Sequence, residues 1–269
     1  MSCRDAYEAN MPIQEKLEKI QRIDDFGERI ILNDRLLFGV ESSIQSDDVL
    51  QNNLEMFDWA AKNKIYPNFW GRNIVGEDCL TKEEITYLHK KGCKIATIYK
   101  SDDEKISKEQ GEVCGKKAAL VACELGITKN TAIFLEVEDG EKILREYMQG
   151  YATELLAAGY TPGFKANTDA TFEFDHEFCR GLIKEKELFD KCLIWATTPI
   201  IEEYDGLTNS HSIHPDNWKP FTPSGLERED IAIWQYGKEC HPIKDDEGRE
   251  TSFNLNLVRK EQVIIENMF

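Results

Sequence analysis

The chain has 269 residues and a formal net charge of −17 at pH 7, with 41% hydrophobic and 31% charged residues. This composition folds as a soluble globular protein and excludes bulk disorder. The net negative charge, with no basic patch to offset it, excludes nucleic acid and anionic membrane surfaces as partners.

Residues 1–30 carry Ile13, Leu17 and Ile20 at helical spacing. They read as a helical extension packed on a domain that spans residues 31–269. They contain no apolar core flanked by basic residues and a small-residue cleavage site, and no later stretch is apolar enough to span a bilayer. The expectation is a cytoplasmic protein, reaching any outside glycan only by a leaderless or phage-type release.

Eight β-rich runs follow: Arg35 to Glu41, Lys64 to Gly71, Cys93 to Lys100, Thr131 to Glu138, Tyr160 to Asn167, Lys191 to Thr198, Asp230 to Gly237 and Thr251 to Val258. Helical patterns separate most of them. Ser46 to Lys64 begins with a Ser-Asp-Asp cap, and Thr81 to Gly92 begins with the capping-box order Thr81-x-x-Glu84. Two further helical patterns stop at Gly126 and Gly159. Strand, helix, glycine and strand in repeating order imply a parallel sheet, and eight strands in this length favour closure. The fold class is therefore α/β, a single (β/α)8-like TIM barrel. Thr198 to Glu229, rich in Pro, Asn, Ser and Trp, breaks the rhythm and makes the last third irregular.

The loops after barrel strands gather at one face, and acids there have a use. Glu136 and Glu138 end the fourth run and, two apart, share a face of the strand. Asp139 and Glu141 suit the first turn of the next helix, where the macrodipole favours negative charge. Glu41 ends the first run and Asn254 lies in the last. Phe69, Trp70, Tyr99, Trp195, Trp234 and Tyr236 sit at or near other strand ends, flat faces on which sugar rings stack. Carboxylates among aromatic walls make up the inventory of a glycoside-hydrolysing cleft.

Other motifs carry less. His211 and His214 have the i, i+3 spacing of a metal pair only if helical, and they fall in a Pro- and Asn-rich loop, so no metal is assigned. The eight cysteines form no C-x-x-C pairs and read as unpaired thiols in a reducing compartment. No cofactor loop or thiol nucleophile motif is present.

The ordered set FGVESS, FWGR, IATIYKS, GKKAALVACELGI, IFLEVED, GYTPGFKAN, LIWATTP, IAIWQYG and FNLNL resembles the glycoside-hydrolase-like barrel domain of many bacterial proteins of unassigned activity. That domain is similar to the family 25 muramidases, the lysozymes that cut peptidoglycan. The resemblance runs from about Leu36 to Val258. It implies that Glu138 is the proton donor and Glu136 the other acid of a D-x-E pair. It implies that Glu41 stands where strand one has an Asp, and that Asn254 and Asn256 occupy a D-x-N. Trp70, Tyr99, Trp195, Trp234, Gln235, Tyr236 and Asn254 are the expected binding residues, and a glycan or other small molecule is the expected ligand. The sequence departs from the pattern at Glu41 and Glu136, which replace Asp, and at Asn254, which removes a charge. Two functions remain open: a hydrolase of N-acetylated, cell-wall-type glycan, and a non-catalytic glycan- or ligand-binding barrel that has lost the acid geometry.

Overall fold

The computed structural model describes residues 36–63, 65–202, 218–259 and 266–269. The helix expected within residues 1–30 and the His211/His214 pair therefore lie outside the described residues. Eight strands close into a barrel in chain order. They are β1 (Leu36–Glu41), β2 (Phe69–Asn73), β3 (Lys94–Tyr99), β4 (Ala132–Glu136), β5 (Thr161–Ala166), β6 (Leu193–Glu202), β7 (Ile231–Lys244) and β8 (Glu250–Arg259). Each overlaps one of the eight β-rich runs, although β2 shares only Phe69–Gly71 with its run and β7 continues past Gly237 to Lys244. Among the described residues no helix is long and apolar enough to cross a membrane.

The sheet is not wholly parallel, as the alternation had implied. β1 to β7 pair in parallel, whereas β8 runs antiparallel to both β7 and β1. The cause is the connection: β7 and β8 are joined by a short turn at Asp245–Gly248, and a parallel crossover needs a dozen or more residues. β7 also carries register shifts, with Glu239 and His241 at positive φ, so the last third is irregular as expected.

Among the described residues six helices pack outside: α1 (Met56–Lys62), α2 (Lys82–Lys90), α3 (Lys108–Leu125), α4 (Arg145–Ala157), α5 (Glu173–Lys184) and α6 (Lys186–Phe189). α1 is much shorter than the pattern from Ser46 suggested. Asn53 adopts φ 59°, the Leu50 amide turns back to the Leu54 carbonyl at 2.8 Å, and the helix starts only at Met56. α2 starts as expected, the Glu84 amide donating to Thr81 Oγ1 at 3.1 Å. α3 stops at Gly126, whose φ of 80° is the left-handed cap that glycine adopts most cheaply. α4 begins at Arg145 rather than just after Gly140, which moves Asp139 and Glu141 into a loop.

α3 and α4 touch through glycine. A Cβ on Gly111 would sit 2.1 Å from the Tyr147 carbonyl oxygen, and one on Gly150 would sit 2.2 Å from that of Lys108. These are backbone atoms that a side-chain rotation cannot clear. Gly111→Ala is expected to cost about 1–3 kcal/mol by overpacking, read as a lower denaturant midpoint with unchanged slope.

The barrel interior is filled by Phe69, Ile98, Phe134, Trp195, Ile233 and Val258, with Met268 joining the same cluster. Outside the barrel, the fully buried Arg72 ties down the segment that follows β1. Its Nε lies 2.9 and 3.1 Å from the two oxygens of Glu84. Its other nitrogens donate to the carbonyls of Ser42 (2.7 Å), Ser43 (3.1 Å) and Asp78. Glu84 also accepts the Ser46 amide at 2.8 Å. Burial pushes the Glu84 carboxyl above its ordinary value, with Arg72 opposing the shift.

Candidate functional site

Strand alternation fixes what faces the barrel interior. Glu136 follows the core residue Phe134 by two and points inward above it. Lys165, its register partner on β5, does the same. Glu41 on β1 is level with Asn254 on β8, and Gly71 on β2 lets Trp195 and Glu41 approach its backbone closely. A Cβ there would sit 2.8 Å from Trp195 and 3.1 Å from Glu41.

The centre of the site is Lys165, buried with its Nζ donating to Glu136 Oε1 at 2.8 Å and to Glu41 Oε1. The ammonium lies 5.4 Å from the centre of the Trp195 ring, within cation–π range. Trp195 is fully buried in the barrel core, its Nε1 donating to Asn256 Oδ1 at 2.9 Å. Asn256 donates onward to the Asn254 carbonyl at 3.1 Å.

One lysine affects its two glutamates differently. Burial raises the Glu41 carboxyl above its ordinary value, and Lys165 only partly offsets this. For Glu136 the attraction of Lys165 outweighs a smaller burial and holds the carboxyl below its ordinary value. Burial disfavours the charge on Lys165, but Glu41 and Glu136 together overcome it and hold the ammonium protonated well above the usual lysine range.

Glu138 lies two residues beyond the end of β4, at the rim. Its side chain is 61% exposed and pairs with Lys100 at 2.5 Å, while its backbone amide donates to Glu141 Oε2 at 3.1 Å. Glu141 does not begin a helix. Its carboxylate neutralises Lys105, a buried ammonium that also donates to the Ser101 carbonyl at 2.9 Å.

Glu136, Glu138, Lys165, Gln235 and Asn254 line one open pocket of about 800 Å³ at the strand C-terminal ends, a size typical of a ligand site. Five expected binding residues do not reach it, the fully buried Trp195 among them, and Glu41 does not line it either. Trp70 faces outward, bonded to Ser42 Oγ at 2.8 Å and stacked on Phe57. Tyr99 alternates with the core residue Ile98, so it too faces outward, and burial pushes its hydroxyl up to about 12. Trp234 and Tyr236 pack on each other outside the wall, with Trp234 Nε1 donating to the Thr198 carbonyl at 3.0 Å. The alternation rule carried the signal: Trp234 and Tyr236 must face opposite to Gln235. Lys165, which bonds both Glu136 and Glu41, is not among the expected site residues, because a lone lysine within a strand has no motif of its own.

Among the described residues no three His, Cys, Asp or Glu side chains converge to hold a metal. Among the described residues Cys79, Cys114, Cys123, Cys179 and Cys192 are unbridged thiols.

A model of the family described as "Rv2525c-like, glycoside hydrolase-like domain" matches residues 65–249. A crystal structure of an uncharacterized protein from B. stearothermophilus shares the fold with TM-score 0.69 at 23% identity, covering 87% of this chain and 100% of that one. A family GH25 lysozyme from Aspergillus fumigatus is more distant, with TM-score 0.46 and 12% identity over 86% of this chain and 97% of that one. The modular autolysin LytC from Streptococcus pneumoniae gives TM-score 0.46 and 9% identity over 82% of this chain and 46% of its own. No curated protein matches the chain significantly.

Proposed function

Because the chain belongs to the Rv2525c-like, glycoside hydrolase-like family, we propose that it cleaves a glycosidic bond in an N-acetylated glycan of cell-wall type. Glu138 is the general acid. Glu136 stabilises the developing positive charge or orients a substrate N-acetyl group that serves as nucleophile, and Glu41 acts through Lys165 as a positioning residue. The free thiols fit work in a reducing compartment.

The observation that carries this reading is that two carboxylates, Glu136 held by the buried Lys165 and Glu138 exposed at the rim, line one pocket. Glycoside hydrolysis needs one carboxylate that stays charged and one that delivers a proton. Glu136, clamped by Lys165, has the first character. Glu138 sits at the rim in an exposed pair with Lys100, and such pairs contribute only about 0–1 kcal/mol. A sugar that fills the pocket displaces Lys100 and strips water from Glu138.

Reducing-end release from peptidoglycan and chitin-type oligosaccharides tests the assignment. Glu138→Gln is expected to lose about a hundredfold or more in rate. Equal release by wild type and variant would remove Glu138 from the chemistry.

A second reading, a glycan-binding barrel without turnover, is favoured by the two lysines that neutralise the acids and by Asn254 facing Glu41 without a charge. Calorimetric binding of a glycan fragment by a wild-type protein that releases no reducing ends would select it.

A further inference from the structure

With Trp70, Tyr99, Trp234 and Tyr236 packed outside the barrel, the pocket has a different apolar surface. Among the described residues, Phe172 and Phe221 are the aromatic side chains that line it. Phe221 is 55% exposed, and Ile200, lining the same opening, is 62% exposed.

The Phe221 backbone is fixed although its ring is exposed. Its amide donates to Thr198 Oγ1 at 3.5 Å, and its carbonyl accepts Thr168 Oγ1 at 2.8 Å. Three residues on, Ser224 binds the buried Asp175 through both its amide and its hydroxyl, at 2.5 and 3.0 Å. The ring is thus held out to solvent from a segment pinned on both sides, although packing it inward would remove apolar area from water.

Beneath, Gln235 is 4% exposed and lines the pocket, and its Oε1 has no hydrogen-bond partner among the described residues. A buried acceptor left without a donor carries a desolvation cost. The pocket therefore pairs a flat apolar face at its mouth with an unsatisfied acceptor on its floor.

We infer that Phe221 is the stacking platform for a pyranose ring, whose rim donates a hydroxyl or amide hydrogen to Gln235 Oε1. A sugar ring has both features, one face of C–H groups and an edge of donors. A wholly apolar ligand would leave Gln235 unsatisfied. An anion would make no use of the ring and would be repelled by Glu136. The inference rests on the glycan reading above and identifies how that ligand is held.

The test is calorimetry and saturation-transfer NMR on the full chain, with a chitin trisaccharide and a peptidoglycan disaccharide-peptide as probes. Phe221→Ala is expected to weaken binding roughly tenfold, Phe221→Trp to retain it, and saturation to reach the sugar C–H protons. Unchanged thermal midpoints establish that the variants are folded. If wild type binds and Phe221→Ala binds equally well, the platform is wrong and the glycan reading stands. If wild type binds neither probe, both fall.

Discussion

Lys165→Met is expected to destabilise the protein by about 3–5 kcal/mol at neutral pH, because it leaves two inward carboxylates without the cation they share. In a chain of this size that corresponds to a fall of roughly 6–20 °C in melting temperature. The loss depends on pH in a defined direction. In the wild type Glu136 is held below its ordinary value, so its contribution is present above that value and fades as pH falls through the depressed one. Glu41 is raised, so its contribution is complete below the ordinary carboxylate value and is lost as pH rises through the raised one. Lys165 is also raised, and its contribution persists through neutral pH and is lost only in strong alkali. Without Lys165 both glutamates favour the protonated form in the folded state, so acid relieves the variant, whereas in the wild type it removes the Glu136 contribution and restores that of Glu41. Melting curves of the two proteins should converge between pH 7 and about pH 4. A gap at pH 7 of under about 2 °C would mean that the lysine is not their counter-ion.

Arg72→Met should be comparably severe, about 3–5 kcal/mol. It strips the charge partner from the fully buried Glu84 and the donor from the carbonyls of Ser42, Ser43 and Asp78. A simple buried ion pair can often be replaced by two apolar residues at no cost. Here the double variant Arg72→Met/Glu84→Met should recover only part of the loss, because orphaned carbonyls keep a penalty of about 1–3 kcal/mol each. Chemical denaturation measures this, and hydrogen exchange at the Ser46 amide reports locally. Full recovery in the double variant would show that the carbonyl contacts contribute nothing. The segment that Arg72 holds begins directly after Glu41, so the variant also tests whether the site depends on this anchor.

All eight strands were legible because each is a short apolar run between turn signals. The direction of the last one was not, because direction lies in the connection. Only the length between Lys244 and Glu250, too short for a crossover helix, reveals the hairpin. At the site, acids at strand ends were legible as acids. Their partners were not: the Lys165 contact with Glu41 spans 124 positions, and Glu141 serves Lys105 from a loop that resembles a helix start. The aromatic residues near strand ends do not line the site because alternation, not nearness to the end, sets the face each side chain takes. Phe221 lay in the stretch from Thr198 to Glu229, where no periodicity assigns a direction to any side chain.

The reversed β8 bears on how the chain is made. Its pairing with β7 is local, but its pairing with β1 joins the first strand of the barrel to the last. During synthesis every earlier strand leaves the ribosome before the ring can shut, and β1, with its run Leu36–Glu41, waits as an open edge. For that interval Glu41 has no Asn254 opposite it. The nascent chain carries an unpaired strand able to template pairing with other chains, and that exposure ends only when the last strand is inserted.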